Sequence, residues 1–134
     1  MAATHAAIAL RRRFRRAVKR FVDATINSLR GLACGLRTEA ALREEAIALL
    51  LALPVGIFVA PSPAWYVAMI ASLLAVLAVE LLNTAIEKLS DQVTQDHHPE
   101  IGMIKDFGSA AVFCALCLAG LVWLAAIGLR LGIV

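Results

Sequence analysis

The sequence holds no Walker glycine loop, no GxGxxG turn, no GxSxG elbow and no HExxH helix. The common soluble scaffolds for nucleotide binding, ester hydrolysis and zinc proteolysis therefore have no support in it. Charge is scarce as well: 17% of residues are Asp, Glu, Lys or Arg, which argues against an ordinary soluble domain. Cysteine is confined to Cys34, Cys114 and Cys117. The last two are three apart within an apolar stretch, without the strand-turn-helix context of a redox motif, and read as packing residues. Cys34, expected on the reducing cytoplasmic side, leaves no structural disulfide to predict. The segment Pro61-Ser62-Pro63 lacks Lys and Arg altogether.

What the chain has in excess is apolar surface. Hydrophobic residues make up 61% of its 134 positions and the mean hydropathy is +0.82. This composition reads as an all-α integral membrane protein, residues 1–134 forming one membrane domain. Three apolar segments are expected to span the bilayer, over 40–60, 64–86 and 107–129. The first has only a short uninterrupted apolar run, and Pro54 removes a backbone donor within it. It is expected to bend or pack against other helices, with a re-entrant or interfacial segment as the alternative. Ten of the thirteen Lys and Arg lie at or before Arg43. By the positive-inside rule the N-terminus and the loop from Glu87 to Asp106 are cytoplasmic, and the C-terminus is outside. Trp65, Tyr66 and Trp123 then fall near the outer boundary. The basic cluster is not followed by the compact apolar core and cleavage site of a secretory signal.

Over 10–30 the apolar residues Leu10, Phe14, Ala17, Val18, Phe21, Val22, Ile26 and Leu29 recur at helical spacing, with Arg11 to Arg16, Lys19 and Arg20 supplying a basic face. Such a helix suits the headgroup layer of an anionic membrane. Nucleic acid is the competing polyanion, but in a chain with several spans the lipid surface is nearer, and no nucleic-acid partner is expected. Gly31 and Gly35 predict a turn or loosened helix, and Thr38 is the expected N-cap of the next helix, which Glu39, Glu44 and Glu45 open with acidic residues.

One feature of the second span conflicts with its apolar setting. Glu80, Asn83 and Glu87 stand at i, i+3 and i+7, on one helical stripe, and Glu80 lies inside the apolar run. An acidic group there costs roughly 2.5 kcal/mol or more on insertion scales, so it calls for a partner or a task. Together with Glu39 and the Lys105-Asp106 pair these are groups suited to metal-assisted phosphoryl transfer at the membrane edge. The competing reading makes Glu80 and Asn83 interhelical glue in a non-enzymatic assembly or transport subunit. His97 and His98, beside Asp96 and Glu100, read as a solvated loop, and Pro99 and Gly102 as punctuation before the third span. Gly120 and Gly128 read as close-packing positions for oligomerisation.

The strings AVELLNTAIEKLSD (Ala78 to Asp91) and GMIKDFGSAAV (Gly102 to Val112), with SLRGL (Ser28 to Leu32) and TEAALREEAIALLL (Thr38 to Leu51) upstream, resemble the small prokaryotic diacylglycerol kinase family. The resemblance covers the chain from about Arg20 onward. It implies a homotrimer with a surface helix and three transmembrane helices per chain, using ATP and magnesium to phosphorylate a diacylglycerol, with active sites shared between subunits. It further implies Glu80 as general base and Glu39 and Glu87 as metal ligands. Lys105, Asp106, Gly102, Asn83 and Arg20 would then lie on the nucleotide side, and Glu45, Asn83 and Ser109 on the lipid side. Two departures stand out: the arginine-rich extension, and Thr38 where the family often has asparagine. A sister branch phosphorylates undecaprenol and shares the glutamate-asparagine core; the GSAAV string looks more like the diacylglycerol branch.

Overall fold

The computed structural model describes residues 2–96 and 98–133, with side chains from residue 11 onward. The described residues form four helices and no strand: α1 (Ala2–Thr38), α2 (Ala40–Val59), α3 (Pro63–Val93) and α4 (Pro99–Leu131). They divide into two units, α1 on its own and everything from Glu39 onward.

α1 is longer than the sequence predicts. It runs unbroken through Gly31 and Gly35, where the sequence predicts a turn or loosened helix. Each glycine costs about 1 kcal/mol relative to alanine in a helix, too little to stop one that continues on both sides. Phe14 and Phe21 stand 70% and 75% exposed on its apolar stripe. Thr38 caps nothing: it is the last residue of α1, and its Oγ1 donates back to the Cys34 carbonyl at 3.2 Å. The N-cap of α2 is Glu39, in extended conformation and with no side-chain cap bond. Glu44 and Glu45 therefore fall in the second turn.

The unit from Glu39 onward is a three-helix bundle in which α3 packs chiefly on α4, and α2 chiefly on α3. Met69, Ser72, Val76, Glu80, Asn83, Thr84 and Ser90 are the buried residues of α3, and those from Met69 to Asn83 follow one another at steps of three and four. Their spacing of three and four is that of a helix-packing seam. Gly108, Ala119 and Ala126 are the buried residues of α4; small side chains there let the two helices approach closely. Trp123 Nε1 donates to the Met69 carbonyl at 3.2 Å, and Ser72 Oγ donates to the same oxygen at 2.8 Å. Between α2 and α3, Tyr66 Oη donates to the Leu53 carbonyl at 3.3 Å, and the Tyr66 ring lies flush against Gly56, where an added Cβ would stand 3.1 Å from it. α2 stays continuous through Pro54. Ser62 caps α3 by accepting from Trp65 N at 3.4 Å, with Pro63 opening the helix.

Two sequence expectations change at the other end of the bundle. The loop between α3 and α4 is short, since α3 continues to Val93 and α4 begins at Pro99. Proline at a first helical position loses no bond, because its missing N–H would have had no partner. Gly102 is likewise in the first turn of α4, its N–H donating to the His98 carbonyl at 2.9 Å. His98 is the exposed N-cap of α4; the reading of His97 lies outside the described residues. Gly120 faces open space within the chain, and Cys114 and Cys117 are free and exposed. The close approach on α4 falls instead at Gly108, because the seam follows the spacing 108, 119, 126 and leaves 114, 117 and 120 on other faces.

Most large apolar side chains point outward. Phe58, Leu50, Phe113 and Leu124 are each at least 65% exposed, and the buried apolar core comprises Leu42, Ala52, Met69, Val76, Ala119 and Ala126. Burial at roughly 25 cal/mol per Å² of apolar area cannot come from so small a core, so the stabilising environment for these faces is lipid or further protein. α3 and α4 are long and apolar enough to cross a membrane. α2 has 20 residues, but Arg43, Glu44 and Glu45 leave an uninterrupted apolar stretch of only about 21 Å at 1.5 Å per residue.

Candidate active site

Every polar residue of the predicted stripe lies in the C-terminal half of α3, at the end of the bundle where α2 and α4 begin. Glu80 is 9% exposed and Asn83 7%. Both line an open groove of about 430 Å³ with Glu44, Glu45, Ser109 and the apolar Ala41, Val112 and Leu116. The groove thus joins a carboxylate and an amide to an apolar wall, the surroundings a lipid hydroxyl with acyl chains requires. Among the described residues no hydrogen bond or ion pair reaches the Glu80 carboxylate. Glue between the helices of this chain would show one.

Carboxylates crowd this site. Glu80 lies within electrostatic reach of Glu45, Glu87 and Glu39. Asn83 Nδ2 donates to Glu87 Oε1 at 3.3 Å, one helical turn along α3. Asn83 Oδ1 and Glu45 Oε2 are buried without a partner. Nearer the end of the bundle, Lys88 Nζ lies 2.7 Å from Glu39 Oε1, and Lys105 Nζ 2.6 Å from Asp91 Oδ1. The Lys105 pair is exposed, so its cation is held loosely and stays within reach of solvent ligands.

Residues 26–127 match the prokaryotic diacylglycerol kinase family. The chain belongs to that family. A diacylglycerol kinase of Haemophilus influenzae is 38% identical over 102 residues, spanning 76% of this chain and 86% of its own. Diacylglycerol kinases of Escherichia coli, 36% identical over 78% of this chain and 85% of theirs, and of Pseudomonas aeruginosa, 40% identical over 79% and 86%, are similar in extent.

Within this family frame, the structure brings Glu80, Asn83, Glu45 and Ser109 onto one groove and couples Asn83 to Glu87. Glu39 stands beside α3 through Lys88. Gly102 and the exposed Asp106 lie on the first two turns of α4, outside that groove. Arg20 is on α1, in the other unit, and outside the region matched to the family. Sequence reasoning passed over three residues. Glu44 lines the groove, although in the sequence it reads only as part of an acidic helix opening. Asp91 holds Lys105, a pairing across 14 positions that no local pattern announces. Gly108 packs on Asn83, and only its place in the GSAAV string hinted at it.

Proposed function

We infer that this protein transfers the γ-phosphoryl group of ATP to the hydroxyl of 1,2-diacylglycerol, giving phosphatidic acid. Family membership sets the reaction class, and the observation that ties it to this chain is the buried, unbonded Glu80 carboxylate at an apolar groove. In the reaction the lipid hydroxyl lies in the groove, its acyl chains along Val112 and Leu116. Glu80 accepts the hydroxyl proton as the oxygen attacks the γ-phosphorus, and the bond to the β-phosphate oxygen breaks. Asn83, Ser109 and Glu45 orient the hydroxyl. Lys105 exchanges its pairing with Asp91 for the nucleotide phosphates, beside Gly102 and Asp106. The starts of α2 and α4 direct their positive helix ends toward this region, which favours phosphate.

Glu39 and Glu87 would hold Mg²⁺. The donor set fits: both offer hard carboxylate oxygen, and Glu80 with the three carboxylates around it, of which Glu39 is paired with Lys88, forms a cluster whose mutual repulsion a further cation would relieve. No cage of three His, Cys, Asp or Glu side chains exists among the described residues. That also suits magnesium, which is commonly held by one or two carboxylates plus nucleotide phosphates. When bound, the ion neutralises charge on the transferring phosphoryl group.

The wider reading is a homotrimer in the bacterial inner membrane, with α2, α3 and α4 all crossing, the N-terminus cytoplasmic, the C-terminus outside, and α1 on the cytoplasmic surface. The outward apolar faces of α2 and α4 and the unpartnered Glu45 Oε2 support contacts beyond one chain. The test is transfer of labelled γ-phosphate from Mg-ATP to short-chain diacylglycerol in mixed micelles, beside undecaprenol and a Glu80→Gln sample. Glutamate-dependent labelling of diacylglycerol is expected. Labelling of undecaprenol alone, or of neither by a folded oligomer, overturns the assignment.

A further inference from the structure

Gly108 is buried in α4, opposite Asn83 of α3. A Cβ at position 108 would collide with Asn83 Oδ1 and stand 3.3 Å from Asn83 Cγ. The amide oxygen therefore fills the space that any other residue's side chain would claim. That oxygen is buried without a hydrogen-bond partner, while Nδ2 of the same amide donates to Glu87 Oε1. One end of the amide is held by a bond, and the other by shape alone.

Gly31, Gly102 and Gly120 differ, since a Cβ on any of them meets nothing within 4 Å. At position 108 a methyl group leaves two responses. Either α3 and α4 separate, which opens the seam built from Ala119, Ala126, Met69 and Val76, or the Asn83 side chain rotates and Nδ2 leaves Glu87. Rotation about side-chain torsions is the softer motion, because packed interiors tolerate a rotamer change more readily than displacement of whole helices.

We propose that Gly108 is a positioning residue for the phosphoryl transfer inferred above: its missing side chain sets the Asn83 amide so that it orients Glu87 beside Glu80. The proposal rests on that functional reading. It gives Gly108 no contact with substrate, and it acts only through Asn83.

The chain has two asparagines, Asn27 and Asn83, so labelling with [15N]asparagine yields two side-chain amide signals. In the full-length protein in micelles, Gly108→Ala shifts the Asn83 amide signal and leaves that of Asn27 in place. Because a misplacement of about 1 Å can cost about 100-fold in rate, Gly108→Ala lowers kcat at least about tenfold, with KM for each substrate within about threefold. The double variant Gly108→Ala/Asn83→Ala has the kcat of Asn83→Ala alone, within about twofold. Wild-type kcat in Gly108→Ala, an unmoved Asn83 signal, or multiplied losses in the double variant overturns the proposal. Should Gly108→Ala fail to fold, the double variant decides: with no amide oxygen in the way, kcat equal to that of Asn83→Ala supports the proposal and a much lower one refutes it. Wild-type protein that phosphorylates no diacylglycerol removes the functional reading itself, an outcome distinct from active wild type with an unaffected Gly108→Ala.

Discussion

Replacing Glu80 by glutamine separates catalysis from architecture. The amide keeps the length and polarity of the side chain but cannot accept the hydroxyl proton. General-base contributions of about 100- to 10,000-fold correspond to roughly 3–5.5 kcal/mol of barrier. Loss of lipid phosphorylation within that range is expected, with substrate binding retained. Stability moves the other way. Glu80 and Glu87 are seven residues apart, about 10.5 Å along the helix. With Glu80 ionised, two like charges at that separation repel by about 1.5 kcal/mol at an effective dielectric of 20. No hydrogen bond to Glu80 is lost in exchange among the described residues. Glu80→Gln should therefore unfold no earlier than wild type and up to about 1.5 kcal/mol later. Initial rates in mixed micelles, thermal unfolding by circular dichroism and oligomeric size on one preparation measure all three. Activity within threefold of wild type would sink the general-base role, and a dissociated or destabilised variant would return Glu80 to the part of interhelical glue.

In the proposed mechanism Glu39 and Glu87 act on the metal side of the reaction. Glu87→Gln and Glu39→Gln each raise the magnesium concentration needed for half-maximal rate by roughly tenfold or more, about 1.4 kcal/mol; unchanged titrations in both would remove them as ligands. Gly56→Val drives a branched side chain into the Tyr66 ring, now 3.1 Å from an added Cβ, and should cost about 1–3 kcal/mol of stability, read as an earlier unfolding transition. Tyr66→Phe, which deletes only the bond to the Leu53 carbonyl, should cost about 1 kcal/mol. A peptide spanning α1 should bind vesicles rich in phosphatidylglycerol and lose affinity as salt rises, since each cation near an anionic surface contributes about 1 kcal/mol; salt-independent binding would count against electrostatic docking.

Much of this site is legible in sequence because it sits on one helix. Glu80, Asn83 and Glu87 declare their shared face through spacing alone, and the cost of a carboxylate in an apolar run marks it as purposeful. The all-helical architecture follows from long apolar runs with few breakers. Where the sequence misled, the cause was tertiary context or helix continuity. Gly31 and Gly35 look like interruptions, yet a helix extended on both sides absorbs a glycine at small cost, and Gly102 falls in the first turn of α4 rather than before it. Thr38 looks like a cap, but capping depends on where the backbone turns, and it turns at Glu39. Gly120 looks like a packing position by type, whereas Gly108 is one by register. Pairings between helices, such as Lys105 with Asp91 or Trp123 with the Met69 carbonyl, leave no trace in a single sequence.

The depth of the polar residues along α3 fits a reaction between two dissimilar substrates. From Glu80 to Asp91 the helix rises about 16 Å, a large part of one leaflet. Over that rise the polar side chains differ in burial: Glu80 and Asn83 are buried beside Val112 and Leu116, Glu87 is intermediate, and Lys88 and Asp91, off the face on which Ser90 is still buried, are largely exposed. A diacylglycerol hydroxyl is tethered to acyl chains and reaches polar groups only near the apolar end, whereas ATP is confined to water and reaches only the exposed end. A single helix carrying carboxylate, amide, carboxylate and ion pair in that order lets each substrate remain in its own solvent while the reacting oxygen and phosphorus meet between them. The placement also explains why Glu80 has no salt-bridge partner of its own. In the proposed reaction a cation seated permanently on Glu80 would stabilise the carboxylate and weaken it as a base, whereas the nearby lysines are held elsewhere, Lys88 by Glu39 and Lys105 by Asp91.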